Sequence, residues 1–525
     1  MYNCDVYALY YMMNHVIGKD RNQVSFSCLE DGIAPDNPVR LLDVFVDKLD
    51  MEKMQFKGSV SKTEGRPSFH PSVFLKLYLY GYLNRIRSSR KLELECTRNV
   101  EVGWLLRGLI PNYHSIADFR KVHSKQLKFV FKIYLLFLKE QELIASKVIA
   151  VDGTKIRAQN SKKNNYNQKK IDRHLRYIEE KSNQYLLELD GYDGSEDQNE
   201  EVLVKKEQVK EQISRLDERK IKYDELQDQV ALSDDGQIST SDADSRALNM
   251  HHGIVEVSYN VQTAVDDKHN LIVDFDVTNK NDINALHNVA SEVMRTLEVT
   301  AITVLADKGY HNGSELQKCE TSAITTLVAY RDNEDSDKFI YNKETDSYTC
   351  PQNQTLTTSG TWHNKKKGNR QVDTKIYRTS ACKTCAFKSG CTKRAGGREI
   401  ERSQYQDTVD INNKRVDENK ALYKRRQAII EHPFGTIKRS WGYTYTLVKG
   451  IKKVNAEIAL IYLTYNIRRS VSLLGVEELL RRLKEWEGPK YPFFGLISRP
   501  IRSLARHWYK IRIQPGEIFT CKMAA

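Results

Sequence analysis

Val148-Ile149-Ala150-Val151-Asp152-Gly153 and, much later, Ala301-Ile302-Thr303-Val304-Leu305-Ala306-Asp307-Lys308-Gly309 decide how this chain is read. Each is a short apolar run rich in β-branched residues, the pattern of a buried strand. Each closes on an aspartate beside turn-forming residues, which predicts a strand end followed by a turn. Between them, residues 255–265 and 271–277 predict a β-hairpin, because Asp266-Asp267-Lys268-His269-Asn270 supplies the turn chemistry. Residues 281–297 have helical spacing, and residues 325–330 are a further candidate strand.

Working outward, residues 162–228 are polar. Their sparse apolar residues, from Leu175 to Leu226, fall at helical intervals on either side of an acidic, turn-like stretch at 190–199. This predicts a solvated antiparallel helical hairpin. Residues 331–405 are irregular, polar and cysteine-containing. With these two intervals set aside, the order is strand, strand, strand, helix, strand, strand, helix, the opening topology of an RNase H-like fold. Helical periodicity returns over 412–438 and 454–474. Upstream, 71–86, 92–106 and 115–144 read as helices, with Ser115 as the cap of the last and Asp118 in its first turn.

The expected architecture is an α/β RNase H-like catalytic core with an N-terminal helical domain, a helical-hairpin insert and a cysteine-containing insert. The boundaries are 1–145 for the N-terminal helices. The core takes 146–160, 251–330 and 406–475, the hairpin 161–250, the candidate zinc-binding insert 331–405, and a basic tail 476–525.

Adjacent first and fourth strands would bring Asp152 and Asp307 together. Two such carboxylates repel unless a cation compensates them. Phosphodiester chemistry uses that arrangement: two divalent ions roughly 3.5–4 Å apart activate the attacking oxygen and stabilise the leaving one. Mg²⁺ (or Mn²⁺) prefers such hard oxygen ligands. Taken singly, each aspartate reads more readily as a strand-end turn residue; the two together, in this topological order, favour catalysis.

Val151-Asp152-Gly153-Thr154 and Ala306-Asp307-Lys308-Gly309-Tyr310 resemble the two aspartate motifs of bacterial insertion-sequence DDE transposases. The stretch Tyr423-Lys424-Arg425-Arg426-Gln427-Ala428-Ile429-Ile430-Glu431-His432-Pro433-Phe434-Gly435-Thr436-Ile437-Lys438 resembles their Tyr, Arg, Glu and Lys signature. Four residues separate Arg426 from Glu431 where the signature has three. The chain is most similar to the insertion sequence 1182 group. Gly18 to Gln23, Asp36 to Arg40, Gly65 to Arg90, Ser241 to Arg246 and Tyr259 to Asp266 also match that group. The resemblance implies Asp152, Asp307 and Glu431 as catalytic metal ligands, with Tyr423, Arg426 and Lys438 on DNA. Glu431 and Lys438 are seven apart, which a continuous helix places on one face. Pro433 predicts a kink or a helix start between them.

Cys382-Lys383-Thr384-Cys385, with Cys350 and Cys391, offers four thiolates for a structural Zn²⁺ in a segment poor in apolar residues; His363 is a substitute ligand, and four free thiols are the alternative. Nine cysteines and no evident secretory segment predict a reducing setting, and the resemblance to bacterial insertion-sequence transposases implies a cytoplasmic (bacterial, nucleoid-associated) one. No apolar run approaches membrane length. Residues 431–525 hold 17 Lys/Arg against 7 Asp/Glu. Within them, Lys438, Arg439 and Trp441 form a basic aromatic stretch suited to phosphates and bases, or equally to the rim of a core helix.

The function expected from all this is metal-dependent cleavage at transposon ends and strand transfer into target double-stranded DNA, by a homodimer in the synaptic complex. An RNase H-like nuclease without strand transfer and a non-catalytic DNA-binding descendant are the rivals.

Overall fold

The computed structural model describes residues 20–60, 64, 67–193, 200–250, 253–331, 338–367 and 370–488. The sequence before Asp20, Gly65-Arg66, part of the hairpin turn, Cys4, Cys521 and the tail beyond Gly488 lie outside the described residues. Among the described residues no helix is long and apolar enough to cross a membrane.

Among the described residues six α-helices precede the sheet: α1 (Val39–Asp47), α2 (Pro71–Leu83), α3 (Ser89–Arg98), α4 (Val100–Leu105), α5 (Tyr113–Val122) and α6 (Ser124–Glu140). Two expected long helices are each broken, and polar caps explain where. Asn99 has extended backbone and its side chain accepts from Val102 N at 3.3 Å, so α3 ends and α4 begins around it. The cap of α5 is Asn112, which accepts from Ser115 N at 2.9 Å, and not Ser115. His123 then separates α5 from α6.

The central sheet is built from β1 (Val148–Arg157), β2 (Val255–Asp266), β3 (Ile272–Thr278), β4 (Ile302–Ala306) and β5 (Ile324–Val328). In space β3 pairs with β2, β2 with β1, β1 with β4 and β4 with β5. The β3–β2–β1 pairings are antiparallel and the β1–β4–β5 pairings parallel. A short strand, Arg246–Asn249, extends the edge of β2. One expectation fails here. β1 does not turn at Asp152-Gly153 but continues to Arg157, because Gly153 to Arg157 stay paired with Gln262 to Ser258 of β2.

The insert after β1 is the expected hairpin, α7 (Gln168–Asp193) and α8 (Glu200–Ala231), on a small core of Tyr166, Ile171, Leu226 and Val230. Then come α9 (Leu286–Leu297), led by a 3₁₀ turn at Asp282–Asn284, and α10 (Gly313–Thr321). The insert after β5 is not irregular. It forms a six-stranded antiparallel sheet around Phe339, Tyr348, Leu356, Tyr377 and Ile400.

Residues 412–438 do not make one helix. They fall in α11 (Gln406–Glu418), α12 (Lys420–Phe434) and a π-helical turn, Gly435–Ser440. Pro433 sits inside α12 and neither starts nor ends it. α13 (Ile451–Leu474) is buried on nearly every side, as its apolar sequence predicts, and α14 (Val476–Glu485) follows. One hydrophobic cluster runs from Ile33 through the N-terminal helices, the sheet and α13 to Trp486.

Candidate active site

The site begins with strand register. Val151 pairs with Ala306 at the end of the parallel β1–β4 ladder, so the next residues, Asp152 and Asp307, are neighbours. Residues side by side on parallel strands share a face of the sheet. β4 ends there, and Asp307 caps the 3₁₀ turn Lys308–Tyr310, its Oδ1 accepting from Gly309 N at 2.8 Å. A Cβ on Gly309 would lie 2.9 Å from that same oxygen, so the glycine makes room for the cap.

Asp152 Oδ1 accepts from Gly153 N at 2.8 Å, and the Arg426 guanidinium of α12 lies 3.3 Å from Oδ2. Burial and then the charge of Asp307 push the Asp152 carboxyl up to about 6, against the opposing pull of Arg426 and of the Gly153 N–H; Asp282 adds to the rise. Paired carboxylates repel in this way, and a cation between them would relieve the repulsion.

Lys438, in the π turn, donates to Lys155 O of β1 at 2.9 Å. Burial and the neighbouring Lys155 bring its ammonium down to about 8, while Asp152 opposes the shift. Tyr423 is half-buried beside Arg426; burial raises its phenol and Arg426 counters.

The structure therefore brings Asp152, Asp307, Arg426, Tyr423 and Lys438 together. It does not bring Glu431. That residue is exposed, and its carboxylate is bonded by Gln427 Nε2 at 2.7 Å, one turn back on α12. Five residues along a helix rotate a side chain by roughly 140° from Arg426, so the two cannot face Asp152 at once. The π turn also interrupts the continuous helix on which Glu431 and Lys438 were expected to share a face. Arg439 is exposed. Trp441 is buried edge-on against Tyr443, with ring centroids 5.6 Å apart, and packs as core instead of presenting a stacking face to DNA.

Sequence reasoning missed four residues around the aspartates. Asp282 accepts on Oδ1 from Asn260 Nδ2 at 2.7 Å and Gln262 Nε2 at 2.6 Å, and Tyr310 O–H donates to Gln262 Oε1. Tyr310 is fully buried; that burial and the surrounding carboxylates raise its phenol well above the usual range. The available signal was two amides, Asn260 and Gln262, at period two inside an apolar strand.

Among the described residues no three His, Cys, Asp or Glu side chains are grouped as ligands of one ion. At the aspartates, the exposed Glu431 does not complete such a set. The same absence removes support for the zinc centre. Cys350, Cys382, Cys385 and Cys391 line one pocket of about 270 Å³ as free thiols. The insert has its own small core, so the missing apolar interior that zinc was expected to replace is present.

Residues 349–471 match the family described as a transposase DDE domain, and residues 27–122 match a transposase domain. Neither span includes Asp152 or Asp307; the first includes Glu431. Both matches support a transposase. No curated protein matches. Among solved structures, a piggyBac transposase synaptic complex with hairpin DNA, determined by cryo-EM, is 9% identical over 89% of this chain and 83% of that chain. The TM-score of the two is 0.28.

Proposed function

We propose that this chain is a DDE-type DNA transposase of the insertion sequence 1182 group, with an RNase H-like core that cleaves transposon ends and transfers the freed strands into target DNA. The observation that carries the reading is the register of Val151 with Ala306, which sets Asp152 beside Asp307 on adjacent parallel strands. The strand order β3–β2–β1–β4–β5, antiparallel on one side of β1 and parallel on the other, supports the core assignment.

The residues fit a divalent cation. Two hard carboxylates stand side by side, one holding up the other's pKa, and a guanidinium already lies where positive charge relieves them. Asp152 and Asp307 would hold Mg²⁺ or Mn²⁺, which when bound supplies Lewis acidity and screens the phosphate. Glu431 would join them from α12. Arg426, Tyr423 and Lys438 line the same place and suit flanking phosphates, with Arg439 further out. Lys438 is still largely charged at neutral pH despite its lowered pKa. The helices of 1–145 are the part proposed to read the DNA ends, and joining two ends requires a dimer.

Asp152→Asn and Asp307→Asn keep side-chain shape and remove the charge that holds the cation. Each is expected to abolish cleavage of end DNA in Mg²⁺ while band-shift affinity stays near wild type, because affinity comes mainly from Lys/Arg contacts to phosphate. The two losses should not add, since both residues serve one site. Cleavage at the wild-type rate by Asp152→Asn would remove the basis of the reading. A strand-transfer assay on the same DNA tests the joining step.

A further inference from the structure

We propose that Asp282 is a positioning residue for Asp307, its carboxylate anchoring a side-chain relay through Gln262 and Tyr310 that fixes the Asp307 turn beside the strand carrying Asp152. The inference rests on the transposase reading and adds a residue to its site.

The relay is continuous. Asp282, at the start of its 3₁₀ turn, accepts from the side-chain amides of Asn260 and Gln262, both fully buried on β2. An ionised carboxylate can only accept hydrogen bonds, so it dictates which end of the Gln262 amide faces it. The amide oxygen is thereby turned to Tyr310, whose O–H it receives. Tyr310 closes the turn that Asp307 caps. A second tie lies just past the Asp307 turn: Asn312, which precedes α10, donates from Nδ2 to Asn284 Oδ1 at 2.9 Å and to Ile283 O at 3.2 Å.

Two glycines show how closely this is built. A Cβ on Gly153 has no room beside Asp282 Oδ1, and one on Gly309 would touch Asp282 Oδ2 at 3.8 Å. Successive side chains on a strand point to opposite faces. Asp282, on the Gly153 face, therefore lies behind Asp152 and reaches the site through the turn and not as a ligand. Hydrogen bonds to a charged acceptor are roughly twice as strong as neutral ones. In a buried network each link also holds the next.

Asp282→Asn keeps the shape and removes the charge that orients Gln262; Tyr310→Phe removes the O–H at the other end. Mn²⁺ binding to the DNA-free chain, read by electron paramagnetic resonance, separates positioning from stability. Each single variant is expected to lose roughly tenfold or more in Mn²⁺ affinity. The double variant should be no worse than the poorer single, because both cut one relay. Melting temperature and DNA-end binding should stay near wild type. Wild-type Mn²⁺ affinity in Asp282→Asn and Tyr310→Phe, beside a loss in Asp152→Asn, overturns the inference and leaves the transposase reading standing. Additive losses in the double variant also overturn it. Wild-type affinity in Asp152→Asn as well would count against the reading it rests on. Should Asp282→Asn not fold, Tyr310→Phe, which keeps the buried ring in place, carries the same test.

Discussion

His123 separates two helices, and its ring packs against Phe56 and Phe119, with centroids 5.0 and 4.8 Å away. Burial, aided by the charge of Lys57, brings the imidazole down to about 4. The unfolded chain takes up this proton near pH 6.5. The folded chain refuses it until about pH 4, so the buried neutral ring costs stability progressively as pH falls between those values. Linkage puts the loss on the order of 3 kcal/mol. His123→Phe keeps an aromatic ring in the packing and removes the titration. Urea midpoints measured from pH 7 to pH 4.5 should fall more steeply in wild type than in His123→Phe; parallel curves would show that His123 does not titrate in this way. Asp152 illustrates how far single residues could be read from sequence. Its place on a strand was legible from the apolar run before it, but Gly153 read as a turn. Only the pairing with β2 and the crowding by Asp282, both set by distant segments, show why a glycine stands there.

Elements were legible where pattern and burial agree, and illegible where a cap or a partner overrides periodicity. β1, β4 and the β2–β3 hairpin were read because buried strands are apolar and short. The breaks at Asn99 and His123 were missed because apolar spacing continues through both. The insert sheet was missed because its strands are three to nine residues long and mostly polar, and acquire a core only when they meet at Tyr348, Leu356 and Tyr377. α12 shows a different limit. Its sequence names Glu431, but its rotation turns Arg426 to Asp152 and Glu431 to solvent. A testable split follows. Glu431→Gln should leave Mn²⁺ affinity of the DNA-free chain within about twofold, since even the loss of a residue that only supports a ligand typically costs about 10-fold or more. The same variant should abolish end cleavage, because the third carboxylate is needed once DNA is bound. Wild-type cleavage by Glu431→Gln would mean that α12 carries no catalytic acid.

At the scale of the whole molecule, the N-terminal helices and the sheet share one hydrophobic cluster, and the sequence reads them as separate domains. The contacts between them are interior ones. Phe131 of α6 meets Phe275 of β3 with ring centroids 5.3 Å apart, and Tyr134 shares a 2.6 Å hydrogen bond with Ser470 of α13. Tyr443 O–H donates to Tyr82 O at 2.8 Å, and Arg87, stacked over the Tyr443 and Tyr445 rings, pairs with the fully buried Glu457 at 3.3 Å. Removing one partner of a buried ion pair costs roughly 3–5 kcal/mol, which is a large share of the 5–15 kcal/mol that holds a typical domain together. A chain starting at residue 146 would leave Glu457 unpaired and expose the α6-facing side of α13 and β3 as well. It is expected not to fold: no cooperative melt by near-ultraviolet circular dichroism, and aggregation on gel filtration. The helical hairpin predicts the opposite. Its apolar contacts gather in a separate core of Tyr166, Ile171, Leu226 and Val230 near its base, so joining residue 181 to residue 212 through a short Gly/Ser linker keeps that core and should leave the main melt within a few degrees of wild type. A cooperative melt from the chain beginning at 146 would show that the shared core is two cores in contact, and would restore the N-terminal helices as an independent DNA-end-binding domain.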